Sequence, residues 1–138
     1  MTEQSKTTDQ ETSLADLKQV VAEFVQERDW EQFHSPKNIS MALAIEVAEL
    51  MEHFQWISMD ESRGCRDDAD KLQEVGEELA DCMCYLLAMA NQLNLDISTS
   101  LLQKMKKNRL KYPAQEFQGR YGHKHQLSEV DPPQGDDV

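Results

Sequence analysis

The sequence predicts an all-α fold of four main helices, antiparallel or nearly so, in the manner of a four-helix bundle. Three observations carry this. Apolar residues recur at the helical period over most of the chain, and no segment alternates apolar and polar residues as a half-buried strand would. Two of the periodic stretches also repeat one design, a pair of acids three residues apart beside an apolar stripe. At 138 residues the chain is expected to form one domain, long enough to bury a substantial core.

Residues 1–12 are polar and aperiodic and are expected to be a disordered leader ahead of a helical domain spanning 13–113. The first helix begins at Ser13, an N-cap with Asp16 three residues on, and Leu14, Leu17, Val21, Phe24 and Val25 form its apolar face as far as about Asp29. Trp30 to Asn38 reads as a connector in which Ser35 caps the next helix and Pro36 takes its first position. Trp30, Phe33, His34 and Asn38 make this connector unusually rich; plugging one end of the bundle would account for the aromatics.

The second helix, Ile39 to Trp56, carries the stripe Ile39, Leu43, Val47, Leu50 and Phe54, with Glu46, Glu49 and His53 on the shoulder beside it. Ser40, Glu52 and Gln55 are its expected solvent positions, so this helix should be buried on nearly all sides. Ile57 to Asp68 is the longest internal loop. The third helix, Asp68 to Leu93, sets Glu78 and Asp81 beside Leu72, Val75, Leu79, Met83, Leu86 and Ala90, and Tyr85 continues the acidic face. Asn94 interrupts the pattern, and the fourth helix runs from about Ser98 to Tyr112 and stops at Pro113. Lys104, Lys106, Lys107, Arg109 and Lys111 crowd its second half, where cations suit the helix dipole, and Lys104, Asn108 and Lys111 share a face. Residues 114–138 read as a mostly mobile polar tail.

Acids on a largely apolar helix need neutralising, because an unpaired buried charge costs several kcal/mol or more. The two helices show no nearby cation to do this, and a metal ion is the expected partner. Four carboxylates, Glu46, Glu49, Glu78 and Asp81, offer only oxygen, which favours Mg²⁺, with Mn²⁺ as a substitute, over zinc. A di-iron site of the ferritin type would need Glu-x-x-His on two helices, and that pattern is absent. Cys82 and Cys84 lie about 200° apart on their helix, so they cannot grip one ion together, and the three cysteines are expected to be reduced packing residues.

The formal net charge is −12. One Lys against three acids in residues 1–12 and two basic residues against five acids in residues 114–138 leave −7 on the helical region. Such a surface excludes binding to duplex nucleic acid, which depends on neutralising phosphates. No run approaches the ~18 apolar residues of a membrane span and no signal-like segment is read, so a cytoplasmic protein is expected.

The chain has no Gly-rich phosphate loop and no Ser-His-Asp or Cys-His set. Two readings therefore stay open: attack of water on a phosphorus atom assisted by Mg²⁺, or a non-catalytic helical scaffold whose acids pair with lysines of another subunit. From Leu14 to Pro113, four stretches (ERDWEQFHSPKN, EVAELMEHFQW, EELADCMCYLL and KMKKNRLKYP) resemble the MazG-like, all-α nucleoside triphosphate pyrophosphohydrolases, and within them the dCTP pyrophosphatase branch. The resemblance implies Mg²⁺-dependent hydrolysis of dCTP and related pyrimidine deoxynucleotides to the monophosphate and pyrophosphate; hydrolysis of other or a broader range of nucleotides is the alternative. It implies Glu46, Glu49, Glu78 and Asp81 as catalytic metal ligands, with one glutamate also orienting the attacking water. Lys104 and Asn108 would contact the nucleotide, Trp56 and Tyr85 would flank sugar and base, and Trp30, His34 and Asn38 would line the pocket from a neighbouring chain. Dimers that pair into tetramers are likewise implied. Two positions stand apart. Val21 occupies the place where cytosine-preferring relatives carry a base-reading histidine, and Glu74, one turn before Glu78, is open as an extra ligand.

Overall fold

The structure, a computed structural model, describes residues 7–121. Every regular element among them is helical: α1 (Leu14–Glu27), α2 (Pro36–Glu52), α3 (Met59–Arg63), α4 (Ala69–Gln92), α5 (Ile97–Lys111) and α6 (Ala114–Phe117), with 3-10 turns at Glu31–Phe33 and Gly64–Asp67. The four long helices are those expected. They divide between two compact units, which part after Ser98. No helix among the described residues is long and apolar enough to cross a membrane.

In the first unit α4 is central and packs against both α2 and α1. Lys18 on α1 donates from Nζ to the Leu95 carbonyl (3.0 Å), while Asn91 Nδ2 donates to the Lys18 carbonyl (3.0 Å). Further along, Val25 and Ala88 line one cleft, so α1 and α4 run antiparallel. Among the described residues the buried set is Val25, Ile39, Val75, Cys82, Leu87, Ala88 and Ala90. The apolar stripes are thus only partly covered. Val75 and Ala90 are buried on α4, but Leu72, Leu79, Met83 and Leu86 are exposed; on α2, Ile39 is buried while Met41, Ile45, Val47 and Met51 are exposed. The expectation that α2 shows solvent only Ser40, Glu52 and Gln55 is therefore corrected: packing against α4 covers only part of the helix surface, and Met41, Ile45, Val47 and Met51 reach solvent as well.

Local chemistry explains the boundaries. Ser13 and Asp16 form a full capping box at the start of α1, and Ser35 Oγ accepts from the Asn38 amide, with Pro36 at the first position of α2. Asp68 caps α4 by accepting from the Lys71 amide. α1 and α4 end alike. Asp29 and Asn94 both take φ of 52°, and the next residue's amide reaches back to the helix, Trp30 to the Val25 carbonyl (3.0 Å) and Leu95 to the Ala90 carbonyl (2.9 Å). This is the Schellman closure, built on residues that tolerate the left-handed region.

Four features differ from expectation. α2 ends at Glu52 rather than Trp56: the Phe54 and Gln55 amides both bond to the Met51 carbonyl, tightening the chain out of the helix. The long loop contains α3, started by a Ser58–Glu61 capping box. In the expected leader, the Glu11 and Thr12 amides close a turn on the Thr8 carbonyl. Residues 114–117, assigned to the tail, form α6, and Phe117 packs edge-on against Tyr112 with ring centres 5.2 Å apart. Residues 1–6 and 122–138 lie outside the described residues.

Candidate functional site

Helical spacing puts Glu46 and Glu49 on one flank of α2, and antiparallel packing sets α4 against that flank in a fixed order. Tyr85 lies by Asn38 and Ala42, Asp81 and Glu78 by Glu46, and Glu74 by His53, so numbers fall on α4 as they rise on α2. The result is a cluster in which carboxylate oxygens of Glu46, Glu49 and Glu78 all lie within 4.8 Å of one another. Asp81, one turn further along α4, adds its charge to the field on Glu46 but is not one of the three. Glu46 and Glu78 are half-buried and Glu49 and Asp81 are exposed, so the acids sit at a surface rather than in a core.

The electrostatics are those of like charges held together. Burial first, and then Glu49, Asp81 and Glu78, hold the Glu46 carboxyl above its ordinary value. Burial, followed by Glu46, Glu78 and Asp81 at Cys82 and by Asp81 and Glu46 at Cys84, raises both thiols, which stay protonated; all three cysteines are free, as expected. Burial and then Glu46 raise the Tyr85 phenol, which keeps its hydrogen as a donor. Glu78 Oε2 is buried with no hydrogen-bond partner.

Two basic groups lie beside Glu78 and Glu74, His53 on the shoulder read from the sequence and Lys71, which that reading left out. His53, at the end of α2, places Nε2 at 3.8 Å from Glu78 Oε1, and Lys71 Nζ lies 2.7 Å from His53 Nδ1 and 3.4 Å from Glu74 Oε2. The expectation of no nearby cation on either helix left out Lys71, which pairs with Glu74 and His53. Lys71 precedes Glu78 by seven residues, two turns of the same helix face, which is the signal that would have found it. Glu74 is held by this group, with Oε2 also 3.8 Å from His53 Nδ1, and is not among the three clustered acids.

Beside the acids a cleft of about 280 Å³ is lined by Trp30, Phe33, His34, Asn38, Ile39, Ala42 and Tyr85. The closure of α1 throws Trp30 against Phe24, ring centres 5.7 Å apart, and His34 stands between Trp30 and Tyr85 at 6.4 and 6.5 Å. Asn38 Nδ2 donates to the Phe33 carbonyl (3.0 Å), which pins the connector to α2. His34 Nδ1 is buried without a partner. His34 also borders a second cleft of about 260 Å³, with Val21, Ala22, Val25, Glu31, Ala88, Asn91 and Gln92. Trp30, His34, Asn38 and Tyr85 thus share one cleft of the chain. Trp56 lines neither cleft and is 88% exposed. Lys104 and Asn108 lie on α5, in the second unit, and Asn108 Nδ2 lies 3.8 Å from Met105 Sδ.

Fold and site together define an all-helical protein that gathers carboxylates from two antiparallel helices at the edge of an aromatic cleft. The model of the MazG-like family matches residues 41–124, and the chain belongs to that family. It is 42% identical over 103 residues to dCTP pyrophosphatase 1 of Rattus norvegicus and of Mus musculus, covering 75% of this chain and 61% of each relative. Human dCTP pyrophosphatase 1 matches at the same identity over 104 residues. The chain thus spans about three fifths of the length of these curated relatives. Among solved structures, a pyrophosphatase from Archaeoglobus fulgidus superposes with a TM-score of 0.67 at 38% identity, covering 72% of this chain and 92% of that one.

Proposed function

We propose that this chain hydrolyses deoxynucleoside triphosphates, dCTP and related pyrimidine nucleotides first, to the monophosphate and pyrophosphate, with Glu46, Glu49, Glu78 and Asp81 as a Mg²⁺ site. The observation that carries the reading is the cluster of Glu46, Glu49 and Glu78, with the buried, unpartnered Oε2 of Glu78, beside an aromatic cleft. The residues fit such an ion: an orphaned carboxylate oxygen among like charges is relieved by a hard cation, and an all-oxygen donor set suits Mg²⁺ or Mn²⁺. Bound there, the ion would lower the pKa of a water and offset charge on phosphate oxygens.

The chain's own groups supply the rest. Asn38 precedes Glu46 by eight residues on α2, about 12 Å at the helical rise, a span suited to a nucleoside with its base in the cleft and its phosphates at the acids. Trp30, His34 and Tyr85 offer stacking faces to base and sugar, and one of the glutamates orients the attacking water. Lys104 and Asn108, one turn apart on α5, offer an ammonium and an amide to the nucleotide, a role that rests on the family resemblance. Trp56, fully presented to solvent in its own chain, is assigned to substrate on the same ground. The bare apolar faces of α2 and α4 support a homo-oligomer, a dimer or a tetramer, because contiguous exposed apolar surface marks an interface. A cytoplasmic setting, where deoxynucleotides are found, accords with this role.

Val21 favours a second reading, broader base choice. It borders the cleft behind His34 with an alkyl group that cannot hydrogen-bond a base, and loss of one such bond can change discrimination considerably. A panel of deoxynucleoside triphosphates, assayed for pyrophosphate release with and without Mg²⁺, tests both. Mg²⁺-dependent release is expected, with dCTP and dTTP both cleaved. No release from any nucleotide refutes the activity, and strict confinement to dCTP refutes the broader base choice.

A further inference from the structure

We propose that His53, locked by Lys71, is a positioning residue that aims Glu78 at the cation; the inference rests on the metal reading above and adds to it the group that orients the ligand. A lysine ammonium has three donors and no acceptor, so at 2.7 Å from Lys71 Nζ the Nδ1 of His53 is the acceptor. The remaining ring proton then sits on Nε2, which faces Glu78 Oε1 at 3.8 Å. That distance exceeds a direct hydrogen bond, yet the side chains are only 17% exposed for His53 and 23% for Glu78, and in such surroundings an N–H dipole and a carboxylate attract more strongly than in water.

The two oxygens of Glu78 are therefore unequal. Oε1 faces the N–H of His53, and Oε2, buried and unpartnered, is left for the ion. Glu74 steadies the other end, with Oε2 at 3.4 Å from Lys71 Nζ and 3.8 Å from His53 Nδ1. Groups that orient a ligating side chain in this way typically change metal affinity 10- to 100-fold when removed.

The test joins imidazole ¹⁵N spectra to Mg²⁺ titration calorimetry on the nucleotide-free protein, for wild type, His53→Leu, His53→Gln and Lys71→Met. The resonance lost in His53→Leu identifies the ring, which is expected in the Nε2-protonated form and is expected to lose that preference in Lys71→Met. Mg²⁺ affinity should fall about 10-fold or more in His53→Leu and recover in His53→Gln, whose amide returns a donor near the Nε2 position. Lys71→Met, a change at a partly exposed residue, provides the same comparison should His53→Leu not fold. A ring protonated at Nδ1 overturns the proposal, as does wild-type Mg²⁺ affinity in both His53→Leu and Lys71→Met. A wild-type protein that binds no Mg²⁺ overturns the metal reading itself, whichever tautomer the spectra show.

Discussion

Glu78 turns Oε1 toward His53 and keeps Oε2 buried without a hydrogen-bond partner, and this asymmetry was only half legible in the sequence. The acid pairs could be read because helical geometry turns a three-residue spacing into a shared face. The contact with His53 could not, because it crosses between helices, and no local pattern reports which residues of two helices meet. Glu46 supports a prediction at this scale. Its carboxyl is held above the ordinary value of 4.5 by burial and then by neighbouring acids, so the folded protein binds that proton more tightly than the unfolded chain. In the window between 4.5 and the raised value the unfolded chain releases its proton first, and stability is lost as pH rises. Removing one neighbouring charge should relieve this. In chelator, Glu49→Gln should melt higher than wild type by roughly 2 °C or more near neutral pH, and its advantage should shrink as pH falls below Glu46's window. Equal melting curves at all pH values would show that the acids do not repel one another in the metal-free protein.

The helix ends place the cleft. α1 closes on Asp29 at φ 52°, and the returning chain sets Trp30 beside Phe24 and His34. The sequence signals for starts were clear at Ser13 and Ser35, which cap as read, since each cap is a local hydrogen bond; Asp68, read only as the start of its helix, is its cap. Stops were less so. Phe54 and Trp56 continue the apolar pattern of α2 with no glycine or proline to break it, and α3 is too short to show a period, although Ser58 and Glu61 carried its capping box. A β-branched residue at Asp29 should disfavour the left-handed turn by about 1–2 kcal/mol and swing Trp30 out of the cleft. Asp29→Val is therefore expected to raise KM for the best nucleotide by roughly 5- to 150-fold, the scale of a lost base-stacking contact, while Asp29→Gly keeps the turn and a KM near wild type. Steady-state kinetics on the two variants check this, and an unchanged KM in Asp29→Val would remove Trp30 from the substrate site.

At the scale of the molecule the informative feature is apolar surface left uncovered. The stripes read from the sequence are real, but periodicity says only that a face is apolar, not whether the same chain or another copy covers it. Ile45 is 60% exposed and Leu79 53% exposed in the single chain, and burying such side chains is worth about 1.5–3 kcal/mol each. Ile45→Asp should accordingly shift the protein toward monomer in sedimentation velocity; a wild-type protein that sediments as a monomer would leave these faces unexplained. In the proposed function the mutual repulsion of the acids is offset when a cation and phosphates complete the site. The direct test is pyrophosphate release from dCTP by Glu78→Gln beside wild type, with circular dichroism confirming that both are folded. The account predicts Mg²⁺-dependent turnover by wild type and a loss of about two to three orders of magnitude in the variant, the scale of removing one group that stabilises transition-state charge. A folded Glu78→Gln protein that turns over like wild type would contradict it.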